Sequence, residues 1–197
     1  MSGRTWAVVP AKSLVRGKSR LSPSLDHAAR ARFARTLLEH VLDVLRASGL
    51  EGILVATDGE DVSDLAISRG AAVLLDQGAD SLAAVVDRAL VEVQRRGASA
   101  ALVLMADLPR IESRDVLELV AALHGHDVVL VRDHLGHHTN ALAMAPPTAM
   151  GTRFGRADSF EAHVTAARDA GLRVAVIDND QVAFDVDLPA DHRRITT

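Results

Sequence analysis

The chain has 197 residues, 48% hydrophobic and 24% charged, which excludes disordered, collagen-like and coiled-coil classes and suffices for one domain with a continuous core. Lys and Arg number 22 against 26 Asp and Glu, a net charge of −4 that lacks the basic field long nucleic acids select. With four Phe, one Trp, no Tyr and no Cys, there is no base-stacking platform, disulfide framework, thiolate zinc site or cysteine nucleophile.

Residues 5–10 (TWAVVP) predict a buried first strand. Residues 28–48 follow with Phe33, Leu37, Leu38, Val41 and Leu45 at helical spacing, and Gly49 supplies a stop. Residues 53–57 (ILVAT), 72–75 (AVLL), 101–105 (ALVLM) and 128–131 (VVLV) are continuous apolar runs, as expected of strands covered on both faces. Val85, Ala89, Leu90 and Val93, then Val116, Leu119, Val120 and Leu123, give two more amphipathic stripes between them. The last third breaks this rhythm. Residues 140–145 and 173–177 flank a helix around 159–170, and residues 182–187 read as a short strand before a polar tail. Strand–helix alternation predicts an α/β sandwich with right-handed crossovers. No repeat or linker interrupts it, so residues 1–197 are expected to form one domain. No apolar run has membrane-spanning length, and residues 1–6 are too short and polar to open a secretory signal. A cytoplasmic location without a membrane partner is the expectation. Oligomeric state is open, a homodimer being the commonest form for soluble enzymes.

In open α/β sheets, ligands bind beyond the carboxyl ends of the strands. The loop after the first strand, PAKSLVRGKSRLS, crowds Lys12, Arg16, Lys18 and Arg20 together. A triphosphate would relieve their repulsion, and Gly17 would let backbone N–H groups approach a phosphate. A solvated basic loop is the equal alternative on this segment alone. The GKS within it is not a P-loop, because Lys12 stands where that motif needs its first glycine. Asp107 follows an apolar strand directly, where a Mg²⁺ ligand would sit, or else forms the turn before Pro109. Asp185 and Asp187, two residues apart on the expected last strand, would share a face. A basic loop and two carboxylate sources together favour a nucleotide-plus-metal site. Thr139 and Ser159 are candidate hydroxyl donors to an anionic substrate, or else a turn residue and a helix cap. His134, His137 and His138 share one loop, but their spacing matches no standard zinc site and exposed histidines are the expectation. His40 and His163 lie on helical stretches and read as packed or solvent-facing imidazoles.

Residues 8–22 (VVPAKSLVRGKSRLS), 102–109 (LVLMADLP), 138–144 (HTNALAM), 152–167 (TRFGRADSFEAHVTAA) and 184–191 (FDVDLPAD) occur in an order that resembles the 2-phospho-L-lactate guanylyltransferases of coenzyme F-420 (deazaflavin) biosynthesis. The resemblance spans essentially the whole chain. It implies a nucleotidyltransferase fold of the glycosyltransferase-A type, Rossmann-like, with a mixed, mostly parallel sheet flanked by helices. It further implies transfer of GMP from GTP to a small phosphorylated carboxylate (2-phospholactate, phosphoenolpyruvate or 3-phosphoglycerate), with release of pyrophosphate.

By this resemblance Lys12, Lys18, Ser19 and Arg20 form the triphosphate loop, with Lys18 and Arg20 stabilising the departing pyrophosphate. Asp107 is the first Mg²⁺ carboxylate; Asp187, with Asp185 beside it, supplies the second. Thr139 and Ser159 hold the acceptor's phosphate or carboxylate, with Asn140 and Gly155 beside them; apart from the resemblance, His138 and Arg156 would add positive charge there. The sequence departs from the family pattern in placing His138 where glycine is usual, in the spacing of Phe154-Gly155 to Ser159-Phe160, in residues 79–82 and in Leu188-Pro189. Alternatives are a nucleotidyltransferase with another base or acceptor, or a nucleotide-sensing module without catalysis.

Overall fold

The computed structural model describes residues 4–76 and 78–196. The elements run β1 (Thr5–Ala11), a single 3-10 turn (Ser19–Leu21), α1 (His27–Ala47), β2 (Gly52–Thr57), α2 (Glu60–Ser68), β3 (Ala72–Leu75), α3 (Leu82–Arg95), β4 (Ala100–Leu104), α4 (Ser113–Ala122), β5 (Val128–Arg132), β6 (Thr139–Met144), α5 (Ser159–Asp169), β7 (Val174–Val176), α6 (Asp180–Ala183) and α7 (Pro189–Thr196).

The strands form one sheet in the order β3-β2-β1-β4-β6-β5-β7. Every pairing is parallel except those of β6, which runs antiparallel to both β4 and β5. The mixed, mostly parallel sheet matches the expected architecture. After β3 the chain crosses β1 to build the other half of the sheet, which makes the β1/β4 boundary the topological switch point. The loops leaving β1 and β4 lie side by side there, at the edge where open α/β sheets bind ligands. Because β6 is reversed, its first residue, Thr139, lies at this same edge, opposite Arg132 of β5.

Alternating strand residues feed two cores. Ala7, Val9, Leu102 and Leu104 pack with Leu38, Val41, Leu42 and Leu45 of α1 and Val116 and Leu119 of α4. Val8, Ala101 and Val103 face Val86, Leu90 and Val93 of α3 and Phe160 and Val164 of α5. Asp26 caps α1 by accepting the Ala29 N–H at 2.7 Å, and Ser81 caps α3 through Ala84 at 3.2 Å. A third, small cluster of Leu21, Phe184 and Val186 matters most for the site. Burying Leu21 or Phe184 contributes roughly 1.5–3 kcal/mol each, and their contact fixes the 3-10 turn against the segment that follows α6.

The expected strand at 182–187 is not formed. Asn179 accepts the N–H groups of Gln181 and Val182 at 3.0 Å, nucleating a short helix over 180–183. Residues 184–187 continue as extended coil, and the polar tail is helical from Pro189, a residue suited to a first helical position.

Candidate active site

Lys18 is held in the left-handed region, φ 54°, which a non-glycine residue adopts only when its surroundings fix it there. Its ammonium supplies that fixation. It donates to Asp107, to the Val186 carbonyl at 2.8 Å and to Asp187 Oδ1 at 3.3 Å. Burial alone would lower the Lys18 pKa, but the Asp107 and Asp187 charges outweigh it, and the net shift is upward. Arg20, one residue into the 3-10 turn from Ser19, reaches Asp187 Oδ2 at 2.9 Å. The Val186 N–H donates to the Asp107 carbonyl at 3.3 Å, so the two acidic segments are joined through backbone as well.

Asp107, Asp185 and Asp187 each place a carboxylate oxygen within 4.8 Å of the other two. Asp185 and Asp187 meet Asp107 from extended coil, not from the expected strand. Asp185 is the most enclosed of the triad's last pair, and burial, followed by the charges of Asp107 and Asp187, pushes its carboxyl up to about 6. Asn140 Nδ2 donates to the Val182 carbonyl (3.1 Å), the Ala183 carbonyl (2.9 Å) and Asp185 Oδ1 (3.4 Å). Asn140 thus shapes the acidic turn, whereas the sequence placed it beside the acceptor. The three carboxylates offer an all-oxygen donor set, which fits a hard divalent cation such as Mg²⁺ or Mn²⁺.

Around this centre, His134 lies between Asp185 Oδ1 (3.1 Å) and Asp191 Oδ1 (3.3 Å). Asp191 in turn accepts the Leu188 N–H at 2.8 Å and the Asp187 N–H at 3.3 Å, which sets the backbone of Asp187. The histidines of the 134–138 loop therefore do separate work, and no zinc-like group of them is formed among the described residues. Asp133, 3% exposed, accepts the N–H groups of His137 (2.6 Å) and His138 (2.8 Å) and lies 3.2 Å from His138 Nδ1. Neither His134 nor Asp133 was singled out as a site group by sequence; a lone carboxylate or imidazole in a loop carries no periodic signal.

The rest of the basic loop is tied to the end of β2. The Ser13 N–H donates to Asp58 Oδ1 at 2.9 Å, the Leu14 N–H to Asp61 Oδ2 at 2.8 Å, and Arg16 pairs with Asp58 at 2.9 Å. Gly17 spends its own N–H on the Ser13 carbonyl at 3.0 Å, so the expected approach of that amide to a phosphate is not what the glycine serves here. Lys12 and Ser19 are exposed on the loop, and Lys12 makes no ion pair among the described residues. Close approach falls instead to Gly59, where a Cβ would lie 2.4 Å from Asp61 Oδ1 and 2.7 Å from Ser13 Cα.

At the same edge of the sheet, the Thr139 N–H donates to Ser159 Oγ at 3.1 Å, and both residues keep only 2% exposure. Gly155 takes φ 85°, and the exposed Arg156 forms a two-pronged pair with Asp158 at 2.8 and 2.9 Å. The structure thus gathers Lys18, Arg20 and the three carboxylates into one cluster, with the hydrogen-bonded Thr139 and Ser159 beside it through adjacent Asn140, while Gly155 lies against Leu82.

The family model described as "Guanylyl transferase CofC like" matches residues 5–196. The chain belongs to this family. It is 38% identical to a phosphoenolpyruvate guanylyltransferase of Sphaerobacter thermophilus, over 95% of this chain and 90% of that protein. It is 41% identical to a phosphoenolpyruvate guanylyltransferase of Rubrobacter xylanophilus, over 96% of this chain and 92% of that one. Among solved structures, a Desulfovibrio desulfuricans G20 protein assigned to the nucleotide-diphospho-sugar transferases superimposes with a TM-score of 0.81. It covers 98% of this chain and 86% of that one at 18% identity, a likeness of fold. The chain is accordingly a guanylyltransferase-type nucleotidyltransferase on a glycosyltransferase-A-like scaffold, as the sequence motifs led one to expect.

Proposed function

We propose that this chain transfers the guanylyl group of GTP to phosphoenolpyruvate or a closely related phosphorylated carboxylate (2-phospholactate or 3-phosphoglycerate), as a cytoplasmic step toward a deazaflavin coenzyme. The observation that carries the reading is the meeting of Asp107, Asp185 and Asp187 with Lys18 and Arg20 at the switch point of the sheet. In the reaction an oxygen of the acceptor's phosphate bonds to the α-phosphorus of GTP. The bond from that phosphorus to the bridging oxygen breaks, and pyrophosphate leaves with the electron pair. The attacking phosphate is already anionic near neutral pH, so no side chain need remove a proton. The obstacle is repulsion between two anionic reactants.

Asp107, Asp185 and Asp187 would hold Mg²⁺, which when bound supplies positive charge between the reactants. Lys18 and Arg20 counter the charge gathering on the departing pyrophosphate, and Lys12 and Ser19 extend the same cationic rim. Leu21 packing on Phe184 and Val186 keeps these cations and the carboxylates at a set separation, so positioning is supplied by the fold. Thr139, Ser159, Gly155, His138 and Arg156 bind the acceptor, Arg156 exchanging its Asp158 partner for the substrate's carboxylate or phosphate.

The test is pyrophosphate release from GTP and Mg²⁺ with phosphoenolpyruvate, 2-phospholactate and 3-phosphoglycerate offered in turn, with ATP and CTP as base controls. Release with at least one acceptor, and a GMP-linked product of the matching mass, is expected. Tight GTP binding without release from any of them would replace the proposal with a nucleotide-sensing role.

A further inference from the structure

His163, on α5, is completely buried, yet it contacts neither the acidic cluster nor the basic loop. Its two ring nitrogens join the two segments that flank the acceptor side. Nε2 accepts the Arg153 N–H at 2.7 Å, and Nδ1 lies 3.0 Å from Thr139 Oγ1. The backbone donor at Nε2 fixes the tautomer. A proton on Nε2 would face another N–H, so the ring's single proton resides on Nδ1, where the Thr139 hydroxyl at 3.0 Å and the Ser159 carbonyl are its acceptors. Burial, chiefly, holds the imidazole well below its usual range, at about 4, with the nearby Arg153 charge acting the same way and the Ser159 carbonyl opposing. The edge-on contact with Phe154, 4.7 Å between ring centroids, closes the remaining side.

We infer that His163 is a positioning residue for the acceptor, a neutral two-ended strut that sets the 152–158 loop, carrying Gly155 and Arg156, against the start of β6. Thr139 accepts from His163 and donates its own N–H to Ser159, so its hydroxyl proton has no acceptor among the described residues. That proton is left for a ligand. The strut lies wholly on the acceptor side, whereas Lys18, Arg20 and the loop tied to Asp58 and Asp61 lie on the nucleotide side. Its loss therefore separates the two substrates. The inference rests on the proposed placement of the acceptor at Thr139 and Ser159.

The experiment measures KM for GTP and for phosphoenolpyruvate in H163Q, H163N, T139V and the H163Q/T139V double variant, each checked for folding by its thermal melt. In H163Q the side-chain oxygen still accepts from Arg153, but the donation to Thr139 is gone. In H163N a donor remains near the Nδ1 position, and this variant recovers acceptor affinity relative to H163Q. A hydrogen bond feeding a charged ligand contact predicts an acceptor KM raised about tenfold in H163Q and in T139V, with the GTP KM within about twofold of the parent. In the T139V background the His163 change adds less than about twofold, because its partner is already missing. Equal rises in both KM values, or the full effect persisting in the double variant, would show a purely structural histidine and overturn the inference. Should S159A and T139V leave the acceptor KM unchanged, the placement of the acceptor itself falls, and the strut with it. A rise in those two without one in a folded H163Q removes the strut alone. If H163Q does not fold, T139V alone makes the test, and a parental acceptor KM in T139V overturns the inference.

Discussion

Replacing Lys18 by methionine keeps the length and apolar stem of the side chain while removing the charge that holds two carboxylates and a backbone carbonyl together. The ammonium binds Asp107, the Val186 carbonyl and Asp187, and its side chain is 10% exposed against 19% for Asp107 and 37% for Asp187. Removing one member of a buried ion pair costs about 3–5 kcal/mol; solvent at the Asp187 side reduces this to about 2–3 kcal/mol. At about 2–4 °C per kcal/mol for a domain of this size, the melting temperature falls by about 4–12 °C. The deficit is one of charge, so a dication repairs it. Thermal melts by circular dichroism, run with chelator and with excess Mg²⁺, should show a larger Mg²⁺-induced rise in K18M than in the parent, where Lys18 competes for the same oxygens. The repaired variant stays catalytically impaired, because the contact to the leaving pyrophosphate is still missing. A K18M protein melting with its parent in chelator, or equal Mg²⁺ shifts in both, would refute the reasoning.

Asp107→Asn is expected to reduce turnover on the order of a thousandfold, the worth of several kcal/mol of charge stabilisation, with circular dichroism unchanged; near-parental pyrophosphate release would remove Asp107 from the chemistry. Gly59→Ala pushes a methyl group into Asp61 and the backbone of Ser13, so it should destabilise by about 1–3 kcal/mol and raise the KM for GTP while sparing that for the acceptor. His163 has a folded-state pKa of about 4, below the ordinary 6.5 of the unfolded chain. Between these values the unfolded chain binds more protons, so the contribution is complete above about pH 6.5 and is lost as pH falls toward about 4, up to about 3 kcal/mol. Urea unfolding at pH 7 and pH 5 should show this slope in the parent and a shallower one in H163Q; identical slopes would contradict the assignment.

Much of the scaffold was legible because buried parallel strands have an unmistakable composition. The runs at 53–57, 72–75 and 128–131 lie within or coincide with β2, β3 and β5, and the α1 stripe from Leu37 to Leu45 faces the core as its spacing requires. The segment 182–187 was misread because Val-Ala-Phe is too short for its apolar content to distinguish helix from strand. The decisive signal was the polar pair Asn179-Asp180, a helix start, and Pro189 gave the same warning for the tail. Asp107 and the basic loop could be placed together because strand ends at a switch point must converge. The roles of Asn140, Asp133 and His134 were hidden, since each depends on which backbone or carboxylate lies opposite it, and those partners are 45, 4–5 and 51 residues away in sequence. His163 read as a packed histidine, and it is packed; only the identity of its two neighbours gives it a further part.

The account turns on a divalent ion held by carboxylates from the end of β4 and from the coil after α6. Mn²⁺ binding in the presence of GTP, followed by electron paramagnetic resonance, tests it most directly in the parent protein, D107N and D185N. The expected result is a bound Mn²⁺ signal in the parent and affinity weakened by about tenfold or more in each variant. Equal Mn²⁺ affinity in all three proteins would contradict the account, since the ion would then have to sit elsewhere.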